Sequence, residues 1–193
     1  MDSSSIEAPD WSKIPVPADD GAARHLARLR VPSVPLPSTD GTVVDLSALP
    51  GTVVVFAYPR TGRPGIENPE GWDLIPGARG CTPQSCAFRD LFETLKSRGV
   101  QRLFGLSTQS TEYQREAAER LRLPFPILSD EHLRLADSLR LPMFEAGGMK
   151  LLKRLTLVIS SGTIEHVFYP VFPPDRNAAE VAQWLAARRQ RSV

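Results

Sequence analysis

The chain has 193 residues, enough to bury a sizeable core in one domain. Apolar residues make up 41% and charged residues 23%, values that exclude wholesale disorder, and 23 Lys and Arg against 22 Asp and Glu leave a formal charge of +1. That balance argues against a nucleic-acid binder or a polybasic membrane binder, and two cysteines are too few for a disulfide scaffold.

The start, Met1-Asp2-Ser3-Ser4-Ser5-Ile6-Glu7, is acidic and polar, without the basic residues and apolar stretch of a secretory signal. The longest apolar run, Val53-Val54-Val55-Phe56-Ala57, falls far short of the ~18 residues of a membrane span. These features lead us to expect a soluble cytoplasmic protein, where a close cysteine pair is more often catalytic or metal-binding than a permanent bridge. Residues 1–30 read as an N-terminal extension, partly mobile, ahead of one domain over 31–193. Within the extension, Asp19-Asp20 is expected to start a short helix carrying Ala22, Leu26 and Leu29 on one face.

Pro32, Pro35 and Pro37 force an extended path, and Ser38-Thr39-Asp40-Gly41 turns it back into Thr42–Leu46 as a hairpin. Thr52–Tyr58 is apolar at consecutive positions and rich in β-branched residues, as in a central strand buried on both faces. Residues 59–80 form a long loop rich in glycine and proline, a length that tends to be functional. A helix over 82–98 follows, with Phe88, Leu91, Phe92 and Leu95 as its stripe and Gly99 as its stop. Next come strand 102–106, a helix to Leu121 opened by a Thr111-Glu112-Tyr113-Gln114 capping box, a short edge strand at 125–128 and a short helix over 131–139. Strands 152–160 and 164–169 flank a Ser161-Gly162 turn, and Asp175 or Asn177 caps a last helix bearing Val181, Trp184 and Leu185. The order predicts an α/β protein whose central mixed β-sheet is flanked by helices, with an N-terminal hairpin.

Cys81 falls at the junction of the long loop and the helix after the central strand, the end of an α/β sheet where sites form. Unpaired backbone N–H groups and the positive end of the helix dipole favour a thiolate at such a place. Gly77 and Gly80 leave the backbone bare for a small ligand. Cys86 follows at i+5, which in an ideal helix separates the Cα atoms by about 8.7 Å, whereas a disulfide tolerates no more than about 7 Å. Pairing therefore requires the first turns of this helix to unwind, with Phe88 and Leu91 remaining as the anchor below. Two chance buried cysteines are the bland alternative. Zinc is disfavoured because C-x4-C supplies only two ligands and His25, His132 and His166 are scattered. A phosphatase loop needs Arg six positions after the cysteine, where Ala87 stands.

Tyr58-Pro59 and Gly80-Cys81-Thr82-Pro83-Gln84-Ser85-Cys86-Ala87-Phe88-Arg89-Asp90 resemble the active-site segment of the peroxiredoxins, in the bacterioferritin-comigratory or Q branch. Leu36–Gly41, Phe104–Ser107, Pro126–Asp130 and Lys153–Ile159 extend the resemblance from about Leu36 to Leu185. It implies a thioredoxin-like fold and thiol-dependent reduction of hydrogen peroxide and organic hydroperoxides, with no cofactor and no metal. Cys81 becomes the peroxidatic nucleophile and Cys86 the resolving cysteine, closing an intramolecular disulfide that thioredoxin or a similar dithiol reduces. Arg154 matches the family's arginine, which stabilises the thiolate and the transition state; a charged residue ending a surface strand is the alternative. Partners expected on this basis are a hydroperoxide and a dithiol, with no nucleic acid and no membrane, in a monomer or weak dimer.

One departure stands out. The family pattern places Cys seven positions after Pro with a Thr three before the Cys, whereas Cys81 follows Pro59 by 22 positions and Ala78 occupies the threonine slot. Thr61 returning through the loop, Thr82, or backbone N–H groups are the candidate replacements, with Gly80 and Thr82 as expected substrate contacts. Trp72 either walls the pocket or packs the loop. A thiol-disulfide oxidoreductase, disfavoured by the lack of C-x-x-C, and a catalytically silent thioredoxin-fold binding protein are the competing readings.

Overall fold

The computed structural model describes residues 9–191. Residues 1–8, on which much of the expected mobility falls, lie outside the described residues. Pro35–Pro37 (β1) and Val43–Asp45 (β2) pair antiparallel as the turn signal predicts. The Asp40 carboxylate fixes the turn by accepting from the Thr42 amide and hydroxyl at 3.0 and 2.7 Å. Thr52–Ala57 forms β3. Then follow α1 (Cys81–Asp90), α2 (Phe92–Ser97), β4 (Val100–Ser107), α3 (Thr111–Arg120), β5 (Ile127–Ser129), α4 (Arg134–Leu139), β6 (Met143–Ala146), β7 (Met149–Leu152), β8 (Leu155–Ser160), β9 (Thr163–Phe168) and α5 (Asn177–Arg191).

The main sheet has the order β5-β4-β3-β8-β9, with β3, β4 and β5 parallel and β8 and β9 antiparallel to their neighbours. Because side chains alternate across a strand, β3 feeds two cores. Val53, Val55 and Ala57 join Leu26, Leu36, Leu135 and Leu139 on one face. Val54 and Phe56 join Phe88, Leu95, Val181 and Leu185 on the other. Helices thus cover both faces of a mixed sheet.

Four local features differ from the sequence expectation. Residues 20–29 form turns in place of a helix, because the Asp19 and Asp20 carboxylates accept from the amides of Gly21 and Ala22 at 2.9 and 3.0 Å and divert the backbone. The helix after Cys81 is interrupted at Leu91, although Phe88 and Leu95 are both buried as the stripe requires. Ser110, not Thr111, caps α3 by accepting from the Tyr113 amide, and Gln114 turns inward to donate to Ser107 Oγ and the Leu128 carbonyl. The β6–β7 hairpin was not anticipated; its turn is Gly147-Gly148, both at positive φ.

The described part of the extension runs across the domain. Asp20 accepts from Lys153 Nζ at 2.6 Å and from the Tyr169 hydroxyl at 2.7 Å, and Trp11 donates to Asp175 at 2.9 Å.

Candidate active site

Cys81 is the first residue of α1 and only 5% exposed. Its position follows from Gly80, which caps the helix at φ +100°, a conformation that disfavours any side chain. A Cβ there would also lie 2.6 Å from Pro174 and 2.8 Å from Trp11, so the approach of these two residues requires glycine.

The antiparallel pairing of β3 with β8 sets Ala57 against Leu155 and brings Arg154, one residue earlier, to the end of β3. Arg154 Nη2 donates to Cys81 Sγ at 3.2 Å and to the carbonyls of Gly77 and Arg79 at 3.1 and 3.0 Å. Arg154 is 3% exposed, which removes the surface-strand alternative, and among the described residues it has no carboxylate partner. A buried guanidinium held by carbonyls alone carries an uncompensated positive charge, and the sulfur in contact with it is the group able to supply a negative one.

Two positioning residues escaped the sequence reading. Arg154 Nη1 donates to Gln84 Oε1 at 2.5 Å, Gln84 Nε2 donates to Asn177 Oδ1 at 3.0 Å, and the Thr156 hydroxyl donates to the same Oδ1 at 2.6 Å. All three partners are buried. This relay ties α1, β8 and α5 together behind the thiol. Gln84 was detectable, since i+3 from Cys81 on a helix shares its face. Asn177, expected as a cap, opens α5 and its Oδ1 is taken by the relay; nothing in the sequence marked it for that role.

A cavity of about 360 Å³ lies over Cys81. Gly80 and Thr82 line it, as does Ala78, which brings no hydroxyl. Thr61 does not line it: its amide and hydroxyl donate to Gln109 Oε1 at 2.9 and 3.3 Å, so it is not the returning threonine. Cys81 and Thr82 contribute the first amide N–H groups of α1, which have no partner within the helix. Trp72 fulfils both of its expected roles, lining the cavity and packing with Ala78 and Leu151 in a small separate core.

Cys86 is half-buried and, like Cys81, a free thiol. Burial pushes its thiol up, and the nearby Arg89 guanidinium only partly offsets this. Since α1 is unbroken from Cys81 to Asp90, the i+5 separation holds the sulfurs out of disulfide reach. Burial, and after it the charge of Cys81, pushes the Tyr58 phenol up, so it stays protonated beside the thiol.

The sheet order, with a cysteine at the start of the helix after its central strand, defines a thioredoxin-like protein. The Redoxin family matches residues 26–184. A putative chloroplastic peroxiredoxin Q from Oryza sativa subsp. indica is 30% identical over 156 residues, covering 80% of this chain and 64% of its own length, so this chain spans less than two thirds of that relative. Peroxiredoxin Bcp from Escherichia coli (strain K12) is 31% identical over 159 residues, covering 80% of this chain and 91% of the relative. Among solved structures, peroxidoxin BcpB from Mycobacterium tuberculosis superposes with a TM-score of 0.66 at 28% identity, covering 83% of this chain and 96% of that one. The chain belongs to the Redoxin family, in its peroxiredoxin Q/Bcp group, and has the thioredoxin fold. No helix among the described residues is long and apolar enough to cross a membrane.

Proposed function

We propose that this chain is a thiol-dependent peroxidase that reduces hydroperoxides through Cys81, with Cys86 as the resolving thiol. The observation that carries the reading is the Arg154 guanidinium, buried without a carboxylate among the described residues and donating to Cys81 Sγ. The same contact stabilises a thiolate and remains in place for the negative charge that grows on the departing oxygen. Membership of the peroxiredoxin Q/Bcp group supports the same chemistry.

In the first step the Cys81 thiolate attacks the terminal oxygen of ROOH. The S–O bond forms, the O–O bond breaks, and RO⁻ takes a proton to leave as alcohol or water, with Cys81 oxidised to a sulfenic acid. Arg154 and the first amides of α1 stand at the site where charge develops, with Gly80 and Thr82 against the substrate. The start of α1 then opens, Cys86 attacks the sulfenic sulfur, and water leaves as the disulfide forms. A dithiol of the thioredoxin class restores both thiols by exchange. The catalytic unit is residues 31–193, with the described part of the extension strapped across it, and two free thiols suit the reducing cytoplasm in which we place it.

The test is to mix reduced protein with hydrogen peroxide and count thiols against time. Wild type is expected to lose two thiols per peroxide, Cys81→Ser none, and Cys86→Ser one before stalling with thioredoxin as reductant. Undiminished steady-state turnover by Cys86→Ser removes the resolving role. Oxidant-insensitive thiols in wild type remove the peroxidase itself.

A further inference from the structure

The cavity over Cys81 carries far more positive charge than peroxide reduction needs. Four of its lining residues are Arg60, Arg63, Arg79 and Arg120, and among the described residues no carboxylate lines it. Arg79 pairs with Asp73 and Arg120 with Glu116, both outside the lining. Arg60 and Arg63 have no carboxylate partner among the described residues. Arg60 is only 9% exposed; its Nη2 donates to the Tyr113 hydroxyl at 3.1 Å and its Nε has no partner among the described residues. Arg63 lies with its guanidinium carbon 4.0 Å from the centre of the same Tyr113 ring, and its Nε is likewise buried and unpartnered.

Two guanidiniums gathered on one tyrosine repel each other, and burying one of them without a counter-charge is costly. Their contacts with the Tyr113 and Trp72 rings recover part of that cost and hold the planes in fixed positions. What the arrangement lacks among the described residues is an anion. Neither the Cys81 reaction nor hydrogen peroxide supplies one at Arg60 and Arg63. The cavity, about 360 Å³, also falls within the ~300–1,000 Å³ range of small-molecule sites, whereas hydrogen peroxide needs room on the order of one or two waters.

We infer that the substrate of this cavity is an organic hydroperoxide bearing a carboxylate, with Arg60 and Arg63 gripping the carboxylate while the peroxide end meets Cys81. The inference rests on the peroxidase reading and adds the substrate class to it. The chemistry is unchanged: the O–O bond breaks, sulfur is oxidised, and the hydroxy acid leaves with its carboxylate intact.

Rapid-mixing oxidation of Cys81 by para-carboxylated cumene hydroperoxide, its methyl ester and hydrogen peroxide tests this. The acid is expected to react about tenfold to a hundredfold faster than the ester, the gain that charge-assisted hydrogen bonds provide. Arg63→Gln is expected to bring the acid-to-ester ratio close to one. Arg115→Gln, on the exposed part of α3 away from the cavity, removes the same unit of charge and is expected to keep the ratio. Equal rates for acid and ester in wild type, with Cys81 oxidised by all three, overturn the inference and leave the peroxidase standing. If no oxidant touches Cys81, the peroxidase falls and calorimetric binding of the corresponding alcohols decides the site: preference for the acid over its ester retains it, and equal or absent binding overturns it. The same titration replaces the kinetics should Arg63→Gln fail to fold.

Discussion

The central sheet and the annex built from residues 60–79 with the β6–β7 hairpin meet at Cys81, and they are made by different rules. In the sheet, β3 is buried on both faces from Val53 onward, and the side chains of Val53 to Ala57 each have a place in one of two large cores. The annex has one small core, Trp72 with Ala78 and Leu151, backed by partly buried Ile75 and Phe144. Around that core it presents arginines and loop backbone to the cavity. The sheet therefore fixes the reacting groups, since Cys81 and Arg154 sit on α1 and at the head of β8. The annex shapes what reaches them. Rigid scaffold and variable wall are separated within one site, and mutations on the two sides are expected to have different signatures.

The largest effect is expected on the sheet side. Arg154→Met keeps the bulk of the side chain but removes the donor at 3.2 Å from Cys81 Sγ, and the second-order rate constant with hydrogen peroxide is expected to fall about 10²–10³-fold, the usual loss for one preorganised donor. Stopped-flow tryptophan fluorescence measures it. Because Met leaves buried Gln84 Oε1 and the carbonyls of Gly77 and Arg79 without their donor, the replacement is also expected to lower stability by about 1–3 kcal/mol without unfolding the chain. A fall in rate accompanied by unfolding would mean that Arg154 acts as a structural brace.

Trp72→Ala is the matching lesion in the annex. Deleting a buried tryptophan removes about 3–5 kcal/mol of packing in a well-formed core. Here the loss falls on a small satellite cluster, so limited proteolysis within residues 60–79 is expected to accelerate while the main unfolding transition moves little. The rate with hydrogen peroxide is expected to change less than about tenfold, because no group on the reacting atoms is removed. An effect as large as that of Arg154→Met would erase the distinction between the two regions.

The same division explains what could be read from the sequence. β3, the alternation of helices and strands, the β1–β2 and β8–β9 turns and the position of Cys81 are all local signals: a run of β-branched residues, a turn dipeptide, a glycine before a helix. Arg154 was assigned from the family resemblance, and the antiparallel pairing of β8 with β3 is what brings it to the thiol. Gln84 and Asn177 were not legible as a pair, since their contact spans 93 residues and no periodicity encodes it. The helix expected at Asp19-Asp20 failed because aspartate bonding to nearby amides competes with helix, and composition alone does not say which wins. The annex was least legible. Its hairpin is short, and the role of Arg60 emerges only once α3 brings Tyr113 against it.

The smallest predicted effect concerns Cys86, on the sheet side but outside the cavity. Burial raises its thiol above the ordinary range, so in the folded state it keeps its proton to higher pH than a free cysteine near 8.5. In a Cys81→Ser background, alkylation of Cys86 by iodoacetamide at pH 8 is expected to be several-fold slower than that of glutathione, with the gap closing once urea unfolds the chain. The linkage sign follows. A raised folded pKa means that the folded protein binds more protons than the unfolded one over the window between the two values, so the stabilisation is present below the unfolded pKa and is lost as pH climbs through the folded one. Opening of α1 becomes easier in that alkaline window, and closure of the Cys81–Cys86 disulfide after peroxide addition is expected to speed up from neutral pH toward it. Alkylation of Cys86 at the rate of glutathione in the folded protein would show that the thiol is already exposed, and that resolution does not wait for the helix to open.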